Sequence, residues 1–315
     1  MPALSPIPAG LVQPGSRPEL TVTQEPTTPR TAFVLAGGAS LGALQVGMLR
    51  ALYERGVAPD LLVGTSVGAL NAAFIATRPP SCRTASELAR VWCEIRREDV
   101  FPASLSTLVR GFSGARNHLV PPHGLRRLAA RHLEIEDLAD AAIPLHLVAF
   151  DLRTGREVLL SAGPAHEALV AAASIPGVFP PVPLGDALLI DGGVTNNTPI
   201  SHAVALGAER IYVLTSRHPE RARIQPPASA VDAAMYALGL LVDSRLMADI
   251  ALYREQAELI VLPAESSVQV QPADFDCSSQ LIRDGYTAAR RALDPLDVKG
   301  SRDVRSRSDV LARAA

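Results

Sequence analysis

The sequence predicts a three-layer α/β/α protein with a mainly parallel central sheet. Short apolar runs of strand length alternate with stretches of helical spacing through the middle of the chain. Two of those strands run straight into glycine-framed turns that open helices, at Gly37–Gly42 and Gly64–Gly68. With 315 residues, 48% of them hydrophobic, the chain can bury a core of that size.

The elements follow in order. Residues 31–36 (TAFVLA) read as a buried strand, and 41–56 have helical spacing closed by Gly56. Residues 60–65 (DLLVGT) form a second strand, followed by a helix over 67–77. Strands are expected at 144–151 and 157–161, on either side of a turn at Thr154 and Gly155. A helix over 164–174, a strand over 187–190, a helix over 199–207 and a strand over 210–215 complete the alternation. Before it lie residues 1–29, whose seven prolines predict a disordered arm. After the 30–294 domain, residues 295–315 are rich in Arg, Ser and Asp and read as a polar tail.

Composition excludes several function classes. Thirty basic against 32 acidic residues leave a net charge of −2, so nothing in the charge balance points to nucleic acid. Cys82, Cys93 and Cys277 are odd in number and far apart, with no disulfide framework and no metal-binding pair. That fits a reducing, cytoplasmic compartment. No His/Cys/Asp cluster has ligand spacing, so neither metal nor organic cofactor is expected. The most apolar run, 61–76, is broken by Gly64, Thr65, Ser66, Gly68 and Asn71, so a soluble protein is expected, meeting a membrane only at its surface. The oligomeric state is not legible.

Three motifs carry chemistry. Gly64-Thr65-Ser66-Val67-Gly68 sits between a strand and a helix, where a nucleophile elbow belongs. The sharp turn strains Ser66 and exposes its hydroxyl, Gly64 and Gly68 let neighbouring backbone pass, and the helix dipole favours negative charge at the turn. The second motif is the loop Gly37-Gly38-Ala39-Ser40-Leu41-Gly42. A dinucleotide fold would want Gly at 39 and an acid after the second strand; a P-loop would want a lysine. An oxyanion hole of backbone N–H groups fits instead, and is what a neighbouring serine nucleophile requires. The third motif is Asp191-Gly192-Gly193, at the end of a strand and ahead of Asn196-Asn197 and Pro199. A partly desolvated Asp191 held beside Ser66 can serve as its base. None of the histidines sits in a glycine-framed loop after a strand: His202 falls within a helix and His218 in a polar loop.

These stretches together resemble the patatin-like phospholipases. The matching segments are LAGGASLGALQVGML (35–49), GTSVGALNAA (64–73), AAASIPGVFPPV (171–182) and DGGVTNNTP (191–199), in family order. The likeness extends over 31–294, with DFD (274–276) and LIRDGYTAARRAL (281–293) late in the chain. It implies a lipid acyl hydrolase working through an acyl-enzyme, with Ser66 as nucleophile and Asp191 as proton acceptor. Gly37, Gly38 and Ala39 would form the oxyanion hole, supported by Gly42, Gly64, Gly68, Gly192 and Gly193. Two positions depart from the family pattern. Ala39 replaces a third glycine, and Leu41 replaces an Arg or Lys. The lost charge at Leu41 points toward a neutral ester or acyl glycerol.

Two other readings stay open: a Ser-His-Asp triad esterase using His202 or His218, and a non-catalytic lipid-binding relative. Residues 229–257 add an apolar stripe at Val231, Met235, Leu238, Val242, Leu246, Ile250, Tyr253 and Ala257. Leu240, Leu241, Ala248 and Leu252 widen it. One face is expected against the sheet, and the excess suits transient contact with a lipid surface.

Overall fold

The computed structural model describes residues 29–102, 118–217, 230–268, 270–271 and 273–312. Residues 1–28 of the proline-rich arm, and His218, lie outside them.

Eight strands form one sheet: β1 (Thr31–Leu35), β2 (Leu61–Thr65), β3 (Leu145–Asp151), β4 (Arg156–Leu160), β5 (Val182–Leu184), β6 (Ala187–Asp191), β7 (Arg210–Leu214) and β8 (Glu258–Leu262). Their order is β5-β6-β3-β2-β1-β7-β8, with β4 also on β3. The run β3-β2-β1-β7-β8 is parallel throughout. Strands β4, β5 and β6 join antiparallel, an orientation that apolar pattern alone does not encode.

Alternate side chains of the central strands feed two cores. Phe33, Leu35 and Leu62 point to one face. It is covered by α1 (Ala43–Tyr53), α2 (Val67–Ala76), α3 (Cys82–Glu94), α4 (Arg97–Val100), α5 (His123–His132), α6 (Ala165–Ala172) and the C-terminal helix. Ala32, Val34, Leu61 and Val63 point to the other, under α7 (Ile200–Ala205) and α8 (Ala230–Tyr253). The three expected layers are thus present. His123 opens α5.

The C-terminal helix α9 (Ser278–Ala312) continues through Pro295 into the segment expected as a polar tail. Its first half crosses α1 backbone to backbone. A side chain at Gly47 would lie 2.1 Å from the Ile282 carbonyl oxygen, and one at Gly285 2.1 Å from that of Leu44.

In α8 the predicted stripe divides. Leu246 is buried in the second core, with Ile250 and Tyr253 packed beside it, whereas Leu238, expected on the same face, is exposed. The side chains of Val231 and Met235 lie outside the described residues. No helix among the described residues is long and apolar enough to cross a membrane.

Candidate active site

The site forms where two strands meet end to end. Strand β4 takes one edge of β3, so β2 and β6 share the other. β2 runs parallel to β3 and β6 antiparallel, so their C-terminal ends point at one another. Thr65 pairs with Val148 and Asp191 with Ala149, adjacent positions of the same strand. Ser66 follows Thr65 directly, so the sheet ladder places serine and aspartate side by side.

The elbow has the strain its sequence implies. Ser66 adopts φ 57° and ψ −128°, a conformation that costs an L-residue about 1–3 kcal/mol. Glycine flanks are needed because α2 turns back under β1: a side chain at Gly68 would lie 2.1 Å from the Leu35 carbonyl oxygen, and one at Gly64 2.7 Å from that of Gly68. Gly42 faces Val67 and Trp92 across the same crowded turn.

The end of α6 and the segment after it hold both residues. The Ser66 N–H donates to the Ala172 carbonyl at 3.0 Å, and the Asp191 N–H to that of Ser174 at 2.9 Å. Asp191 is only 4% exposed and Ser66 8%. Burial pushes the Asp191 carboxyl up from 3.8 to about 6; the neighbouring Ser66 hydroxyl and the Gly193 N–H pull it back down. The Gly193 N–H donates to Asp191 Oδ1 at 2.8 Å. Gly192 packs on the Val148 backbone.

The glycine loop divides its donors. The Gly37 N–H is already bonded to the Asn197 carbonyl at 3.0 Å, and Asn197 Nδ2 donates to the Gly37 carbonyl at 3.1 Å. Among the described residues nothing accepts the N–H of Gly38 or Ala39. Gly37 is therefore clamped, and the two residues after it keep free donors. Ala39 sits at φ 50°, a left-handed conformation that explains a glycine preference there. Leu41, half-buried, packs against the first core.

Sequence reasoning missed the side chains that fix this loop. Trp92 Nε1 donates to Asn71 Oδ1 (2.9 Å), Asn71 Nδ2 to Gln45 Oε1 (2.9 Å), and Gln45 Nε2 to the Ala36 carbonyl (2.7 Å) and Ser216 Oγ (2.9 Å). All are buried. Asn196 does the same for the elbow: its carbonyl accepts from Thr65 Oγ1 at 2.9 Å, while its amide donates to Glu157 Oε1 at 3.0 Å. Glu157 also lies 2.5 Å from His202 Nε2. Burial raises the Glu157 carboxyl, but bonds from His202, Asn196 and Thr195 outweigh it and hold the group below the usual range. Of the triad candidates, His202 is thus engaged with Glu157, not Ser66. Gln45 and the asparagines lie inside quoted motifs, which was the available signal; Trp92 offered none.

Beside Ser66 and Ala39 opens a pocket of about 830 Å³, counting its mouth, with walls almost wholly apolar. Phe74, Trp92, Leu125, Phe179 and Phe275 contribute to them. The Trp92 and Phe275 rings stack at 6.1 Å, and Phe101 on Phe179 at 5.6 Å. An elongated apolar group held here would have its end at the serine.

Comparison with known proteins gives a consistent picture. Lysophospholipase NTE1 of Mycosarcoma maydis is 25% identical over 58% of this chain, and patatin-like phospholipase domain-containing protein 6 of Homo sapiens 28% over 58%. An uncharacterized NTE family protein of Mycobacterium tuberculosis is 32% identical over 53%. The matches span 9%, 13% and 27% of those proteins. Among solved structures, VipD of Legionella pneumophila aligns over 85% of this chain and 67% of its own, with TM-score 0.44 and 14% identity. The family profile of patatin-like phospholipase matches residues 33–204, more than half of the chain and all four site-forming segments. This chain belongs to the patatin-like phospholipase family.

Proposed function

We propose that the protein hydrolyses fatty-acyl esters of lipids through a Ser66–Asp191 dyad and an acyl-enzyme. The observation that carries the reading is the placement of Ser66 beside a buried Asp191, against adjacent positions of β3 and at the end of an apolar pocket. Asp191, ionised above about pH 6, takes the hydroxyl proton as Ser66 Oγ bonds to the ester carbonyl carbon. The Gly38 and Ala39 N–H groups receive the resulting oxyanion, while the Gly37 N–H stays with Asn197. Collapse breaks the ester C–O bond, and the leaving alcohol regains the proton from Asp191. In the second half Asp191 takes a proton from water, whose oxygen attacks the acyl carbon. Ser66 Oγ leaves with that proton and the fatty acid is released.

The acyl chain occupies the apolar pocket. Substrate is drawn from an aggregate by α8, where Leu238, Leu240, Leu241, Met247 and Leu252 are exposed. Leu238 and Leu241 share a groove with Gly193 and Val194, next to the Asp191 turn, so this surface borders the site. Labelling by a fluorophosphonate probe tests the enzyme reading: wild type should be labelled, and Ser66→Ala should not. A wild-type protein that neither labels nor turns over any acyl ester belongs to the lipid-binding alternative.

A further inference from the structure

The apolar pocket follows one face of α2. Ser66 caps that helix, and Val67, Leu70, Ala73 and Phe74 line the pocket over its successive turns. At a rise of about 1.5 Å per residue, Phe74 lies about 12 Å beyond Ser66 along the helix axis. There the apolar face ends. One turn further on is Arg78, whose guanidinium stacks on the Phe74 ring at 3.9 Å and is held by Glu134 Oε1 at 2.9 Å.

The pocket is closed from the side at the same level. The His132 ring packs against Phe74, with centroids 6.3 Å apart. His132, Leu128, Ile95 and Val91, all half-buried, line the apolar pocket and also a second pocket behind it. One layer of side chains therefore walls the first pocket off from the second. The outer pocket bears Glu94, Asp99, Arg127 and Arg131, all exposed, two acids against two bases. A methyl end gains nothing by emerging among these groups, because the gain on burial comes from leaving water.

An extended alkyl chain has bonds of about 1.5 Å at tetrahedral angles, so it advances about 1.3 Å per carbon. About nine carbons span the run from Ser66 to Phe74. We propose that the wall of Phe74, His132 and Leu128 is a stop for chain length, so that esters of medium-chain acids, about eight to ten carbons, are the substrates. The proposal rests on the reading of Ser66 as nucleophile and names a substrate class for that site. Up to the stop, each added methylene is buried and raises kcat/KM about three- to fourfold. Beyond it the chain must buckle or push packed side chains apart, and the gain reverses.

The test is a series of p-nitrophenyl esters from butanoate to hexadecanoate, each kept below its aggregation concentration so that α8 plays no part. Wild-type kcat/KM should climb to about decanoate and be lower by about tenfold or more for hexadecanoate. Two variants should move the optimum in opposite directions. Leu128→Ala joins the two pockets and should raise tetradecanoate relative to octanoate about tenfold. Leu70→Trp fills the channel one turn past Ser66 and should bring the optimum down to hexanoate or shorter. Each variant tests the stop by itself, should the other not fold. A wild-type profile that rises through to hexadecanoate, or an unmoved optimum in either folded variant, overturns the proposal. Calorimetric binding of the free fatty acids to Ser66→Ala repeats the comparison without turnover, and affinity should stop rising near decanoate. Residual hydrolysis by Ser66→Ala would bring down the nucleophile reading and leave the binding comparison standing.

Discussion

The two faces of the sheet are covered in contrasting ways. On the first, α1, α2, α3 and α9 bury Leu44, Leu49, Leu52 and Ile75 almost completely, and the polar chain from Trp92 to Gln45 runs through the same layer. On the second, α8 seals the sheet with Leu246 but leaves Leu241 68% and Leu252 59% exposed. One side packs closely around the candidate site; the other keeps apolar surface uncovered. On the proposed reading, rigid positioning and contact with a lipid phase are divided between the layers.

Five variants and a pH profile break or sharpen that contrast. The largest effect belongs to the groups the first layer orients. Ser66→Ala and Asp191→Asn should each lower kcat by about a thousandfold or more, since members of one catalytic unit fail together. Circular dichroism should show the fold retained. Asp191→Asn retaining near-full turnover while His202→Ala loses it would mean that the triad, not the dyad, operates.

Next is packing. Leu49→Ala, in the closed layer, should cost about 2–5 kcal/mol by denaturant unfolding. A loss as small as that of a surface change would show the first layer to be no better packed than the second.

The pH dependence of Asp191 follows. Only the ionised form can accept the serine proton, so kcat/KM should fall about tenfold per pH unit below about 6. Stability runs the other way. A carboxyl raised from 3.8 in the chain to about 6 in the fold favours folding fully below 3.8, and that contribution is lost as pH rises through 6. Asp191→Asn should therefore gain thermal stability over wild type at pH 8, with the gain vanishing near pH 4. An acid limb centred at the usual carboxylate range would count against a desolvated base.

On the open face, Leu240→Glu with Leu241→Glu should leave melting within about 0.5 kcal/mol, being exposed. Vesicle binding and hydrolysis of aggregated lipid should drop several-fold while a soluble short-chain ester is turned over normally. Joint loss of both activities with earlier melting would make α8 ordinary core. The smallest effect is at Ala39. Ala39→Gly should stabilise by about 1 kcal/mol or less by relieving the left-handed backbone.

Much of this site was legible in the sequence because its constraints are local. Gly64 and Gly68 are demanded by one tight turn, and Asp191-Gly192-Gly193 by the strand end it terminates. The antiparallel entry of β6 was not legible, because strand orientation depends on partners distant in the chain. The apolar pocket was equally hidden: Phe74, Trp92, Phe179 and Phe275 come together from four separate segments. Helices α3 and α5 escaped because their sequences carry many polar residues and only narrow buried stripes, such as Leu125 and Ala129 in α5.

The end-to-end meeting of β2 and β6 along β3 has a consequence for how the site comes apart. The separation of Ser66 and Asp191 is set by the ladder at Val148 and Ala149 together with the bonds of both N–H groups to the Ala172 and Ser174 carbonyls. Slippage of either strand by one residue moves its group by about 3.3 Å and turns its side chain to the opposite face. No partial opening can loosen the pair by degrees. Inactivation on heating should therefore coincide with global unfolding, and the Val148 and Ala149 amides should exchange with solvent as slowly as any in the molecule.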